Sequence, residues 1–166
     1  MNGAPTQDEK TRRDAALTRL TRGSPYHRFI DVEFERMGDE LTGRLNYNWD
    51  LIGNPAIPAL HGGVVAALLE ITALTQLGWG RIWAEFEAGG DRAVAIDEGR
   101  FPKHPKTIDL TVDYLRSGRP RDVYARATVQ KQGRRVANVR VEAWQDARDR
   151  PIAGAHGHFL MPDDDT

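Results

Sequence analysis

Apolar residues recur in two different rhythms along this chain. Between Gly62 and Leu77 they occupy nearly every helical position, with Val64, Val65, Leu68, Leu69, Ile71, Leu74 and Leu77 spread around the circumference. A helix apolar on all sides is a buried one, so the pattern predicts a core helix over 62–79. Elsewhere apolar and polar residues alternate with period two, as in half-buried strands. Ile30, Val32 and Phe34 alternate with acidic residues, and after Gly38-Asp39 the residues Leu41, Leu45, Tyr47 and Trp49 alternate in turn, which predicts a hairpin. Ile108, Leu110, Val112 and Tyr114 mark a further strand, Val123, Ala125, Ala127 and Val129 the next, and Ala137, Val139, Val141 and Ala143 a third. Gln132-Gly133 supplies the turn between the last two, and residues 152–161 close this meander. Ahead of the hairpin, Thr6 can cap a modest helix over 6–21 that Gly23-Ser24-Pro25 ends. Residues 50–60 read as a proline-containing loop. Residues 80–106 have no clear period; they allow the core helix to run on through Trp83 and Phe86, break at Gly89-Gly90 and continue irregularly past Pro102 and Pro105.

The order hairpin, helix, meander is an α+β arrangement: an antiparallel sheet of five or six strands wrapped around one long central helix. One domain over 25–161 accounts for it, with an N-terminal helical extension over 1–24 and an acidic tail over 162–166. Formal net charge is -1 at pH 7, which argues against a general nucleic-acid or membrane-surface binder. Cysteine is absent, which removes disulfides, thiolate zinc sites and a thiol nucleophile. The polar N-terminal stretch lacks the apolar run of a signal peptide, and Glu70 and Gln76 interrupt the longest apolar segment, against a membrane span. A cytoplasmic protein is expected. Ser24 and Ser117, the only serines, lie outside any Gly-x-Ser-x-Gly elbow, and no phosphate-binding glycine loop is present. His156 and His158 share one strand face, as two metal ligands would, but no third ligand accompanies them, so neither a metal nor a cofactor is expected.

Between Gly62 and Gly80 the one ionisable side chain is Glu70. Burying an ionised carboxylate costs several kcal/mol unless it is paired or its pKa rises, so Glu70 has either a cation partner among the arginines or a chemical task. Gly62 and Glu70 are eight residues apart, about 12 Å of helical rise, too far to act on one small group. The free N–H groups at the helix start can polarise a carbonyl oxygen, and the paired glycines Gly62 and Gly63 let a ligand approach the backbone. For Glu70 and that N-terminus to meet at one carbonyl, two copies of the helix must run antiparallel across a two-fold axis, as in an isologous dimer.

Leu60-His61-Gly62-Gly63 followed by Glu70, together with the run from Thr107 through Asp113-Tyr114-Leu115-Arg116, resembles the hotdog-fold acyl-CoA thioesterases of the phenylacetate-degradation type over residues 25–161. The resemblance implies that the Gly62 N–H binds the thioester carbonyl. It also implies that Glu70 of the partner subunit acts as nucleophile or as the base that activates water. His61 then orients the carbonyl or lies against substrate, its alternative being a helix cap. Where family members carry Asn or Gln this chain has Pro55, and Asn54 is one residue out of register with that role. Relatives also place Thr or Ser where Leu74 stands. Gly63, Arg116, Arg134 and Arg135 are candidates for contact with acyl-CoA, the arginines through its phosphates, although basic hairpin tips are also ordinary solvated surface. Trp79, Trp83 and Phe86 either line an acyl pocket or pack in the core or dimer contact. The implied activity is hydrolysis of an aromatic or medium-chain acyl-CoA by a homodimer with shared sites, assembling as a dimer of dimers. The rivals are a hotdog hydratase or dehydratase acting on acyl thioesters, and a non-catalytic acyl-CoA binder.

Overall fold

The computed structural model describes residues 6–37 and 40–163. Helix α1 (Gln7–Arg22) opens on a capping box in which Thr6 and Glu9 exchange side-chain and backbone hydrogen bonds. A short α2 (Pro25–Phe29) follows, with Ser24 as its cap and Pro25 in its first turn. Asp31, at φ 56°, reverses the chain into β1 (Val32–Met37), which pairs with β2 (Glu40–Leu45). A small ribbon, β3 (Ile52–Asn54) with β4 (Ala59–Leu60), leads to the central helix α3 (Gly62–Ala88). After α4 (Gly90–Asp97) come β5 (Lys106–Tyr114), β6 (Val123–Gln132), β7 (Val136–Trp144) and β8 (Ala153–Leu160). The main sheet has six strands in the order β1-β2-β6-β7-β8-β5, antiparallel at every step. This is the sheet-wrapped helix of the hotdog fold.

Small inward residues let the sheet close around α3. Ala125, Ala137, Ala143 and Ala153 are fully buried beside Val123, Val139, Val141 and Phe159, and they face Leu68, Leu69 and Leu77 of the helix. At Gly43 in β2 a Cβ would come within 2.9 Å of the Thr72 hydroxyl, so helix and sheet approach closely there. A second apolar cluster sits beyond the end of the first. Trp79 and Ile82 of α3 meet Ala16, Leu17 and Leu20 of α1, Leu41 of β2 and Ile96 of α4. Trp79 is 1% exposed and its ring lies 6.1 Å from that of Trp83, while the Arg13 guanidinium covers Trp83 at 4.0 Å. The aromatic stripe is therefore core packing, tied to α1. By length and composition α3 would cross a membrane, but most of its apolar window is buried inside the protein, as befits a core helix.

Several local expectations are corrected. Helix α4 occupies part of a stretch read as irregular, whereas the run of the central helix through Trp83 and Phe86 to a break at Gly89, at φ 68°, is as the sequence allowed. Ile30 caps α2 instead of starting a strand. The second hairpin strand stops at Leu45: the Tyr47 N–H donates to Asp122 at 2.8 Å and Asn48 caps a single 3-10 turn, Trp49–Leu51. A carboxylate and an amide take the backbone groups that a neighbouring strand would have used. The expected turn at Gly38-Asp39 and the end of the acidic tail, Asp164 and Asp165, lie outside the described residues.

Candidate active site

The start of α3 is held from three sides. The Leu60 N–H donates to the Gly118 carbonyl at 2.9 Å and the His61 N–H to the Leu51 carbonyl at 2.8 Å. The His61 ring folds back so that Nδ1 accepts the Gly63 N–H at 2.9 Å, which makes His61 the helix cap. The Val64 and Val65 N–H groups both turn to the His61 carbonyl. Among the described residues this leaves the Gly62 N–H without an acceptor, whereas that of Gly63 is engaged. Tyr114 stands against the same turn: its hydroxyl donates to the Gly62 carbonyl at 2.9 Å. A Cβ at position 62 would meet the tyrosine ring at 3.2 Å, so any larger residue there would press the ring outward.

Two turns further on, Glu70 is half-buried and not enclosed, which corrects the burial inferred from the apolar run. Ala66, Ala67, Glu70 and Leu74 are all only partly covered, and their spacing of three and four places them in one stripe. The partner of Glu70 is a hydroxyl rather than an arginine: Thr107 Oγ1 donates to Oε1 at 2.6 Å. Thr107 reaches it because of a bulge. Period two puts Ile108 on the inner face and Thr107 on the outer one, but the β5–β8 register shifts between Thr107 and Asp109. The extra residue turns Thr107 towards the helix and leaves Ile108 56% exposed. Thr107 and Tyr114 thus mark opposite ends of β5, about 23 Å apart at 3.3 Å per residue, one beside Glu70 and the other beside Gly62. In a single chain the two groups do not meet.

The remaining candidates divide between these ends. Asn54 is exposed, and its Oδ1 accepts the Ala56 N–H at 3.1 Å, shaping the β3–β4 loop. Arg116 lies at the Gly62 end, where its Nη1 donates to the Pro151 carbonyl at 2.5 Å. It lines a cleft of about 410 Å³ with Gly62, Val65 and Tyr114. Arg134 and Arg135 are exposed on the β6–β7 turn. That turn lies at the Glu70 end, since Val136 of β7 and Lys106 of β5 both pair with Leu160 of β8. On the outer face of the sheet, His158 Nδ1 lies 3.0 Å from both Asp109 oxygens, and the hydrogen bond from that ring holds the Asp109 carboxyl below the usual carboxylate range. Among the described residues no group of three or more His, Asp or Glu side chains is placed to hold a metal ion. Thr107 and Tyr114, which contact Glu70 and Gly62, are candidates that periodicity missed; both lie inside the run that carried the resemblance, but the bulge hid the facing of the first.

Residues 58–152 match the family model described as thioesterase superfamily. A protein of Escherichia coli K12 named medium/long-chain acyl-CoA thioesterase YigI is 33% identical over 120 residues, covering 71% of this chain and 74% of its own. A Chromobacterium violaceum protein of known structure is 31% identical with a TM-score of 0.64, over 92% of this chain and 94% of that one. A Bacillus halodurans protein crystallised with CoA shares the fold at 18% identity and a TM-score of 0.63, over 97% of each chain.

Proposed function

Because the chain belongs to the thioesterase superfamily, and is a thioester hydrolase, we propose that it cleaves acyl-CoA to a free acid and CoA at sites shared by two copies. The observation that carries this reading is the placing of a free Gly62 N–H and a Thr107-held Glu70 at opposite ends of one strand. β5 is an edge strand of the sheet, with Ile108, Tyr114 and Leu115 exposed along and beyond it. Two such edges joined antiparallel about an axis between Leu110 and Thr111 bring Thr107 opposite the partner's Tyr114. The same axis crosses the α3 stripe at Ala66, where small side chains let two helices lie close, and sets Glu70 beside the partner's Gly62. Both ends are then completed at once.

In such a site the Gly62 N–H and the positive end of α3 draw charge onto the thioester oxygen as the carbon becomes tetrahedral. Glu70 has two routes. As base it takes a proton from water while the water oxygen bonds to the carbon; the C–S bond then breaks and the proton passes to the CoA sulfur. As nucleophile it displaces the thiolate to form an anhydride that water later opens. Thr107 fixes the carboxylate for either route, and His61 shapes the helix start so that the Gly62 N–H stays free. The relation to YigI supports a medium- or long-chain acyl group.

The test is thiol release from a panel of saturated and aromatic acyl-CoAs, followed with a thiol-reactive dye to which a cysteine-free chain contributes no background. Glu70→Gln is expected to lower the rate about 100-fold or more with the fold intact, as loss of a positioned acid or base does. Wild-type protein that releases no thiol from any of them would refute the proposal.

A further inference from the structure

Both peptide groups that flank the Gly62 Cα are tied down, and the Gly62 N–H is what they leave free. The peptide joining His61 to Gly62 is held by its carbonyl, which accepts the Val64 and Val65 N–H groups at 3.1 and 3.4 Å. The peptide joining Gly62 to Gly63 is held on both edges by side chains: its N–H donates to His61 Nδ1 and its carbonyl accepts the Tyr114 hydroxyl at 2.9 Å. Resting on the hydrolase reading above, we infer that Tyr114 is a positioning residue, locking the Gly62–Gly63 peptide and so fixing the direction in which the Gly62 N–H meets a bound thioester oxygen.

The chemistry of glycine makes such a lock useful. A glycine has no side chain to restrict its φ and ψ, and the first N–H groups of a helix have no partner within it. Aim matters at this point. A hydrogen bond weakens steeply once its angle falls below about 120°, and a misplacement of about 1 Å can cost about 100-fold in rate. One hydrogen bond, that to His61, would leave the peptide plane free to swing about it; a second on the opposite edge does not. The tyrosine ring also lies over the Gly62 Cα, 3.2 Å from the place a Cβ would take, and fills the space into which the turn would otherwise shift.

The side chain that acts as this strut has a fixed base. Tyr114 pairs with Ala153 of β8, and the Leu115 and Arg116 N–H groups both donate to the Ile152 carbonyl, at 2.9 and 3.0 Å. The bond from the Leu60 N–H to the Gly118 carbonyl joins the same two segments a few residues away. The core does not ask for the tyrosine: it is 56% exposed and belongs to neither apolar cluster. Its hydroxyl spans from the edge strand to the one turn whose N–H is left over.

The experiment uses Tyr114→Phe, which removes the hydroxyl and keeps the ring. With fold and pairing intact, kcat for decanoyl-CoA is expected to fall about tenfold and KM to stay within about twofold, a loss confined to the transition state. The direct readout is the infrared carbonyl stretch of decanoyl-CoA, isotopically labelled at the thioester carbon and bound to Glu70→Gln, where turnover is slow. A hydrogen bond from the Gly62 N–H moves this band to lower wavenumber, and adding Tyr114→Phe is expected to remove about half of that shift as the donor loses its aim. A tyrosine that only packs would change melting temperature or KM and leave the band in place. An unchanged kcat, an unchanged band, or no shift in Glu70→Gln itself would overturn the inference. A band that moves back in the double variant, from a wild type that hydrolyses nothing, would leave this inference standing while the hydrolase reading fell.

Discussion

At the scale of single residues, the Glu70–Thr107 contact decides most. A 2.6 Å hydrogen bond from a hydroxyl fixes one carboxylate oxygen and, in the proposed reaction, leaves the other to meet water or the carbonyl. Thr107→Val keeps the shape and removes the donor. Its expected effect is a kcat about tenfold lower with KM unchanged, the worth of one hydrogen bond to a charged group, and Thr107→Ser should restore most of it. Steady-state thiol release on the three proteins checks this; an unchanged kcat in the valine variant would make Thr107 structural only. His61 illustrates the limit of reading a motif by residue type. Its position before paired glycines suited either chemistry or a cap, and the ring nitrogen accepts the Gly63 N–H, a cap that also selects which glycine keeps its N–H free.

At the scale of elements, the rhythms that marked α3 and the strands were legible because burial imposes them: an inward-facing alanine or valine must recur every second residue in a strand. What periodicity could not register was a single inserted residue. The bulge at Ile108 reverses facing within β5, so the reading that placed Leu110 and Val112 correctly assigned Thr107 to the wrong side. The end of β2 was obscured for a different reason, since its backbone partner is a distant carboxylate, Asp122. The dense apolar run of α3 concealed a half-open stripe at Ala66, Ala67, Glu70 and Leu74, because alanine reads as core whether it faces a sheet or a second helix. Ala66→Arg places bulk and charge at the centre of that stripe without entering the core. It is expected to give a folded monomer of 18.6 kDa with thiol release near background, whereas wild type is expected to sediment as a pair of chains or a dimer of such pairs. A variant that stayed dimeric and active would argue against the proposed axis.

At the scale of the whole molecule, α1 and α2 tie the N-terminal segment to the far half of α3, and two histidines lie along that seam. His27 bonds to the Thr21 carbonyl, and the ring of His104 is the nearest group to Gly78 of α3, together with Leu20 of α1. Partial removal from water holds both imidazoles below the ordinary histidine value, and the charge of His27 adds to the effect on His104. The unfolded chain, with ordinary imidazoles near pH 6.5, then binds protons first as pH falls. Stability should be full above that value and decline below it. Melting temperature is expected to drop between pH 7.5 and 5.5, and the drop should shrink in His104→Gln. A melting temperature unchanged over this range would contradict the assignment. Asp109 and Asp122, both held below the usual carboxylate range by hydrogen bonds, contribute stability that is lost only in more acid solution, so the two effects separate on the pH axis.

The separation of Gly62 from Glu70 along β5 also bears on inheritance. A two-fold pair built on it has two sites, each taking its N–H from one copy and its carboxylate from the other. A copy damaged at Gly62 and a copy damaged at Glu70 are each inert with their own kind. When they pair together, both lesions fall in the same site and the other site is whole, so two non-functional alleles can complement one another in one cell.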